Sequence, residues 1–208
     1  AGSINTNINA SLALASRIAG KVFGPDGVTG LSGISAWAYR DDGAFGWRRM
    51  GEFADTDATG AYSIGGLAEG PYRVQYEDDA NGNYVNQVYT NAGDLDEGID
   101  IVLPVSATVS NINICLAQAG KISGHLYTTG GVPLSDAYVA ARYFDGFIWQ
   151  DAGDLGSPDG TGLYTVGGLS SGMYRVEFVC YSDDILDEVY DNELELERGR
   201  DVAVAAGS

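Results

Sequence analysis

Basic residues are scarce in this chain. Eleven Lys and Arg stand against 29 Asp and Glu among 208 residues, and the formal net charge is −18. Nucleic acid and anionic membranes both demand a basic face, so the balance argues against either as a partner. Acidity of this kind serves solubility. Long apolar runs are missing as well: no 18-residue apolar stretch is present to cross a bilayer as a helix. The opening AGSINTN has no basic n-region or apolar h-region, so a secreted form is expected to be a mature or excised one. Cysteine is limited to Cys115 and Cys180, too few for a disulfide framework. They leave one candidate bond, between the halves of the chain, in an oxidising compartment. Helical periodicity is absent, since no segment keeps apolar residues at i, i+3 and i+4 for three turns.

Catalytic signatures are missing too. There is no Gly-x-Ser-x-Gly elbow, no Cys–His pairing at a recognisable spacing and no zinc pattern. The single His125 lies in a strand-like stretch where a packed or solvated imidazole is expected. No catalytic residue is assigned, and the chain is read as a non-enzyme without a cofactor.

Glycine, at 30 residues, and tyrosine, at 13, are abundant, which suits short strands joined by tight turns. The same text also runs twice. Thr59-Gly-Ala-Tyr-Ser-Ile-Gly-Gly-Leu67 matches Thr161-Gly-Leu-Tyr-Thr-Val-Gly-Gly-Leu169, and Gly70-Pro-Tyr-Arg-Val-Gln-Tyr76 matches Gly172-Met-Tyr-Arg-Val-Glu-Phe178. Each unit is about 100 residues, an ordinary domain size. Residues 16–118 form the first unit and 119–208 the second, preceded by a separate segment, 1–15. Period-2 alternation predicts strands at 17–24, 34–40, 46–54, 61–65, 71–77, 99–104 and 107–117, with counterparts at 121–128, 137–143, 147–153, 163–167, 173–180 and 200–205. The fold class is therefore all-β, as two tandem β-sandwiches of Greek-key type.

The stretches Ile122-Ser-Gly-His-Leu, Pro133-Leu-Ser-Asp-Ala-Tyr-Val-Ala-Ala and Asp159-Gly-Thr-Gly-Leu-Tyr-Thr-Val-Gly-Gly-Leu resemble carboxypeptidase-regulatory-like domains. These are the transthyretin-like or CnaB-type sandwiches strung in tandem on bacterial surface proteins. The resemblance covers nearly the whole chain twice. It implies an Ig-like fold and a secreted, cell-surface setting, with stalk, spacer or adhesin roles. Some members of that family carry a Lys–Asn isopeptide bond assisted by a Glu. Here Tyr76 and Phe178 hold the position assigned to that Glu, and Lys21 aligns with His125, so no such bond is expected.

The repeat is unequal at its end. The first unit closes with Ser110-Asn-Ile-Asn-Ile-Cys-Leu-Ala117, for which the second shows no counterpart after Val204. Residues 4–14, INTNINASLAL, supply a matching text with Ile8, Ala10, Leu12 and Leu14 on one face. The closing Ala206-Gly-Ser208 repeats the opening Ala1-Gly-Ser3; with that text counted once, so that Ile4 of another copy follows Ser208, Asn7 falls as far from Asp201 as Asn111 does from Asp100. Residues 4–14 are thus a candidate donor strand. The candidate acceptor edge is at Val202 and Val204 of a neighbouring copy, as in donor-strand complementation. Such a head-to-tail contact propagates into a homopolymer. The same residues would equally belong to the preceding repeat of a longer tandem array. A carbohydrate-binding or adhesive module is the alternative, with surface glycans stacked on Trp37, Trp47 or Trp149. Loops holding Asp55, Asp57, Asp78 and Asp79 are candidate calcium sites, although none matches an EF-hand. The sequon Asn9-Ala-Ser11 is read as coincidental.

Overall fold

The structure, a computed structural model, describes residues 3–207. Ala1, Gly2 and Ser208, the outermost residues of the terminal segments delimited above, lie outside the described residues. No helix is found among the described residues; the chain is all-β.

In the first half the strands are β1 (Ser16–Phe23), β2 (Ser35–Asp41), β3 (Trp47–Asp55), β4 (Ala61–Leu67), β5 (Gly70–Glu77), β6 (Gln87–Val88), β7 (Ile101–Leu103), β8 (Thr108–Val109) and β9 (Ile114–Cys115). One sheet runs β4-β1-β8 with β9 also on β1. The other runs β3-β2-β5-β6 with β7 on β5. The alternation read from sequence places Ile18 and Val22 of β1 and Ile64 of β4 against Ala36, Ala38, Val74 and Tyr76 of the facing sheet, all essentially without solvent contact. Ile112, Ile114 and Leu116 close this core from the side.

The second half repeats the pairings. Its strands are β10 (Gly120–His125), β11 (Ala137–Phe144), β12 (Trp149–Gly156), β13 (Leu163–Leu169), β14 (Gly172–Cys180), β15 (Glu188–Val189) and β16 (Val202–Val204). The larger sheet runs β12-β11-β14-β15 with β16 on β14, while β10, among the described residues, pairs with β13 alone. Local chemistry recurs with it. Asp57 accepts from the backbone N–H groups of Thr59 and Ala61, and Asp159 accepts from those of Thr161 and Leu163, each turning the chain into the next strand. Gly60 and Gly162 both sit at φ +80°, where a side chain is strained.

One expectation changes. The single strand predicted over 107–117 is two short ones, β8 and β9, separated by Asn111 at φ +64°. Residues 4–14 join no sheet: Ile4, Ile8, Leu12 and Leu14 are 79–91% exposed. β6 and β15 were not anticipated, because two-residue strands carry no periodicity.

Candidate functional site

The edge of β1 away from β4 is where the first half is completed. Residues 107–116 run parallel to it, pairing Arg17 with Thr108, Ile18 with Val109, Val22 with Ile114 and Phe23 with Cys115. The backbone N–H groups of Arg17, Ile112 and Leu116 donate to the carbonyls of Ala107, Ala19 and Phe23. The N–H of Lys21 donates to the Asn113 side chain at 2.8 Å. Between the two bridged stretches the strand passes directly over Gly20. A Cβ there would lie 1.9 Å from the Ile112 carbonyl oxygen, so this position requires glycine. That carbonyl accepts from the Tyr62 hydroxyl at 2.7 Å, which also meets Tyr76 at 2.7 Å. Burial pushes both phenols up, Tyr76 well above its ordinary range, so this network stays protonated.

The second half has the same parts and an unpaired edge. Gly124 occupies the place of Gly20, and Tyr164 that of Tyr62, with its hydroxyl 2.7 Å from where a Gly124 Cβ would sit. Among the described residues no strand lies along the outer edge of β10. The core shows the difference. Val22 and Tyr76 are fully buried, whereas their counterparts Leu126 and Phe178 are only partly so. Beside them runs a groove of about 590 Å³ lined by His125, Leu126, Tyr127, Leu134, Phe178 and Val189. It occupies the place that residues 114–116 fill in the first half.

The free segment carries one feature in common with residues 107–116 beyond sequence. Asn7 sits at φ +69° and Asn111 at +64°, so the backbone breaks in the same sense at matched positions. It is tethered to the first half by a hydrogen bond from the Ser106 hydroxyl to the Leu14 carbonyl.

Several sequence-derived candidates fall elsewhere. Val202 and Val204 lie on β16, already laddered to Tyr174 and Gly172 of β14 and half-buried in the second core. The unpaired edge is on β10, in the opposite sheet. Cys115 on β9 and Cys180 at the end of β14 are both free and form no disulfide. Burial raises the Cys180 thiol pKa, with Asp187 and Asp136 adding to it. The aspartates do not gather around a common point. Asp55 accepts from Ser35, Asp57 closes its own turn, and Asp78 accepts from the N–H groups of Asn83 and Tyr84. No group of three or more metal-ligating side chains is found among the described residues, Asp55, Asp57, Asp78 and Asp79 included. The tryptophans carry guanidinium groups: Arg49 lies 4.0 Å over Trp37, Arg73 4.5 Å over Trp47, and Arg175 4.7 Å over Trp149. Trp37 is also stacked on Phe53 at 4.6 Å. No indole therefore has both faces free for a sugar. No helix is long and apolar enough to cross a membrane among the described residues.

No family model matches the sequence, and no curated protein sequence matches it. Among solved structures the chain is similar to a streptococcal ancillary pilin, at 14% identity over 81% of this chain and 54% of that one, with a TM-score of 0.39. It is similar to a minor pilin of Streptococcus agalactiae at 12% identity over 94% and 92%, TM-score 0.36. A putative carbohydrate-binding protein of Bacteroides uniformis gives 13% identity over 92% and 96%, TM-score 0.31. The chain spans about half the length of the streptococcal ancillary pilin.

Proposed function

We propose that this chain is a non-enzymatic structural subunit of an extracellular filament or surface stalk, polymerising head-to-tail by donor-strand complementation. The observation that carries the reading is the pair of unmatched parts: an unpaired edge on β10 and an exposed segment, residues 4–14, whose sequence and backbone break match those of residues 108–118. In the assembled form, residues 4–14 of one copy lie along β10 of its neighbour, parallel to it. Ile8 takes the place of Ile112, Ala10 that of Ile114 and Leu12 that of Leu116, all three buried in the first half. Leu14 takes the place of exposed Gln118, so it belongs to the linker between copies and not to the inserted face. The Ile8 carbonyl passes over Gly124 and accepts from Tyr164, and the Asn9 side chain accepts from the N–H of His125. Burying Ile8 and Leu12 contributes roughly 3–6 kcal/mol before the cost of ordering the strand. The ladder satisfies backbone groups along an edge that is otherwise open to aggregation.

The test uses a chain lacking residues 1–15, which takes no strand pairing away from either half. Electron microscopy and light scattering are expected to show monomers where the full chain forms filaments. A synthetic peptide of residues 4–14 is expected to bind the truncated chain and raise its thermal midpoint. Filaments that persist without residues 1–15 would sink strand donation. A monomeric full chain with a glycan-array signal would favour an adhesive module instead.

A further inference from the structure

The junction between the two halves is built from more than a strand. Residues 116–119 lead from β9 into β10, with Val85 donating to Ala117 and Ala119 donating to Asn83. The first-half loop 78–86 then docks on the second half. The N–H of Gly168 donates to the Gly82 carbonyl at 2.9 Å. Gly82 packs so tightly that a Cβ would lie 2.4 Å from the Asp154 carboxylate and 2.8 Å from the Gly167 Cα. Lys121, the second residue of β10, clamps the loop by donating to the Asn81 carbonyl at 2.9 Å and the Asn83 side chain at 2.8 Å.

Both partners of a second such junction are present on the chain, at its opposite ends. Gly65 and Gly66 correspond to Gly167 and Gly168, and Gly66 and Gly168 share a left-handed backbone, at φ +72° and +69°. Arg17 occupies the position of Lys121. It is exposed, makes no ion pair among the described residues, and rests its guanidinium over Gly65. On the second half, Val189 of β15 pairs with Glu177 as Val88 of β6 pairs with Gln75. Counting back along the chain from this shared register sets Asp184 at the place of Asn83 and Asp183 at the place of Gly82. Both aspartates are exposed, and neither forms an ion pair among the described residues.

We infer that the joint between successive copies follows the joint within the chain in its charge clamp: residues 182–186 of one copy lie against the next at a wider separation than Gly82 has from Gly167, because Asp183 carries a Cβ where Gly82 has none, and Arg17 of the incoming copy pairs with Asp184. This rests on the donor-strand reading, because residues 12–15 are what bring Arg17 to that loop, as residues 116–119 bring Lys121 to its own. The partner is therefore a second copy of this chain, selected by charge. The internal joint pairs Lys with a neutral Asn, while the external one pairs Arg with Asp. A guanidinium is suited to the carboxylate fork, and a like charge there repels a wrong end. The contact fixes the angle between copies, which the linker alone would leave free.

Three full-length variants test this by sedimentation: Arg17→Asp, Asp184→Arg and the two combined. Each single variant is expected to weaken end-to-end association about tenfold, and the combined variant to recover most of that loss. Association unchanged in Arg17→Asp, or no recovery in the combined variant, overturns the inference. Binding of the 4–14 peptide to the chain lacking residues 1–15 reports separately on strand donation, since Arg17 is not in the peptide. A bound peptide with indifferent charge variants defeats the joint alone. An unbound peptide defeats the reading beneath it, and the joint with it.

Discussion

The two halves share strand order and turn chemistry, yet one core is closed and the other is not. In the first, Ile101 and Leu103 of β7 are 5% and 2% exposed; in the second, their counterparts Val202 and Val204 are only partly buried. Ile18 is fully buried, while Ile122 stands at 9%. These differences cluster beneath the path of residues 108–116. A single strand therefore separates a finished sandwich from an unfinished one, and the comparison can be broken at will.

The largest effect is expected from making the halves equal. A copy of residues 4–14 appended after residue 208 should fold back along β10. We expect a stabilisation of the second half by roughly 3–6 kcal/mol in urea melts and the loss of filaments. A chain that still polymerises freely would break the equivalence of the two edges. Next comes Leu116→Ala, which opens a cavity in the closed core and should cost about 3 kcal/mol in the isolated chain. Its counterpart Leu12→Ala should leave monomer stability unchanged and weaken assembly, as light scattering against concentration would show. Third is the glycine pair. Gly20→Ala drives a methyl into the Ile112 carbonyl and should cost about 2 kcal/mol. Gly124→Ala meets the hydroxyl and ring edge of one side chain, Tyr164, and no backbone, and should cost the monomer less, while impairing uptake of the 4–14 peptide in calorimetry.

The smallest effect concerns Asp154, packed beside Gly82 at the internal joint. Burial raises its carboxyl above the ordinary value of 3.8, with the charges of Asp79 and Asp78 adding to the rise. An acid whose pKa rises on folding is held more tightly as the neutral form in the folded chain. Its contribution is favourable at low pH and is lost as pH climbs from 3.8 through the raised value. Asp154→Asn is thus expected to lift the thermal midpoint at pH 7 by about 2 °C, the gain fading as pH falls toward 4. A gain that persists at low pH would assign the effect to packing.

Most of the fold was legible because half-buried strands write their alternation into the sequence. β5 is an example: Tyr72, Val74 and Tyr76 face inward and are buried, with Arg73 and Gln75 outward. The unmatched text of residues 4–14 was legible because a repeat exposes its own omissions. The edge left unpaired was not. Val202 and Val204 adjoin the missing text in chain order, but β16 ladders to β14, and the unpaired edge is on β10, some eighty residues earlier. Pairing across a sandwich is set by closure of the whole core, which no local pattern records. One signal was available: a glycine at the middle of a strand in both units, Gly20 and Gly124, marks the close approach of another backbone. The cysteines, aspartates and tryptophans are a different case. Residue type fixes what a side chain could do, whereas Asp78 was already engaged by backbone N–H groups and Trp47 by Arg73.

The parallel run of residues 108–115 against β1 has a mechanical consequence. A tensile load on the first half enters at the start of β1 and leaves at the end of β9, at opposite ends of two parallel neighbours. Pulling there slides the strands past each other, so the hydrogen bonds share the force instead of parting one at a time. The same arrangement between copies would make each donated strand a shear clamp. Single-molecule extension of one chain from its two termini should then show one high-force rupture, from the first half, and a weaker one from the second, where β10 has no parallel neighbour among the described residues.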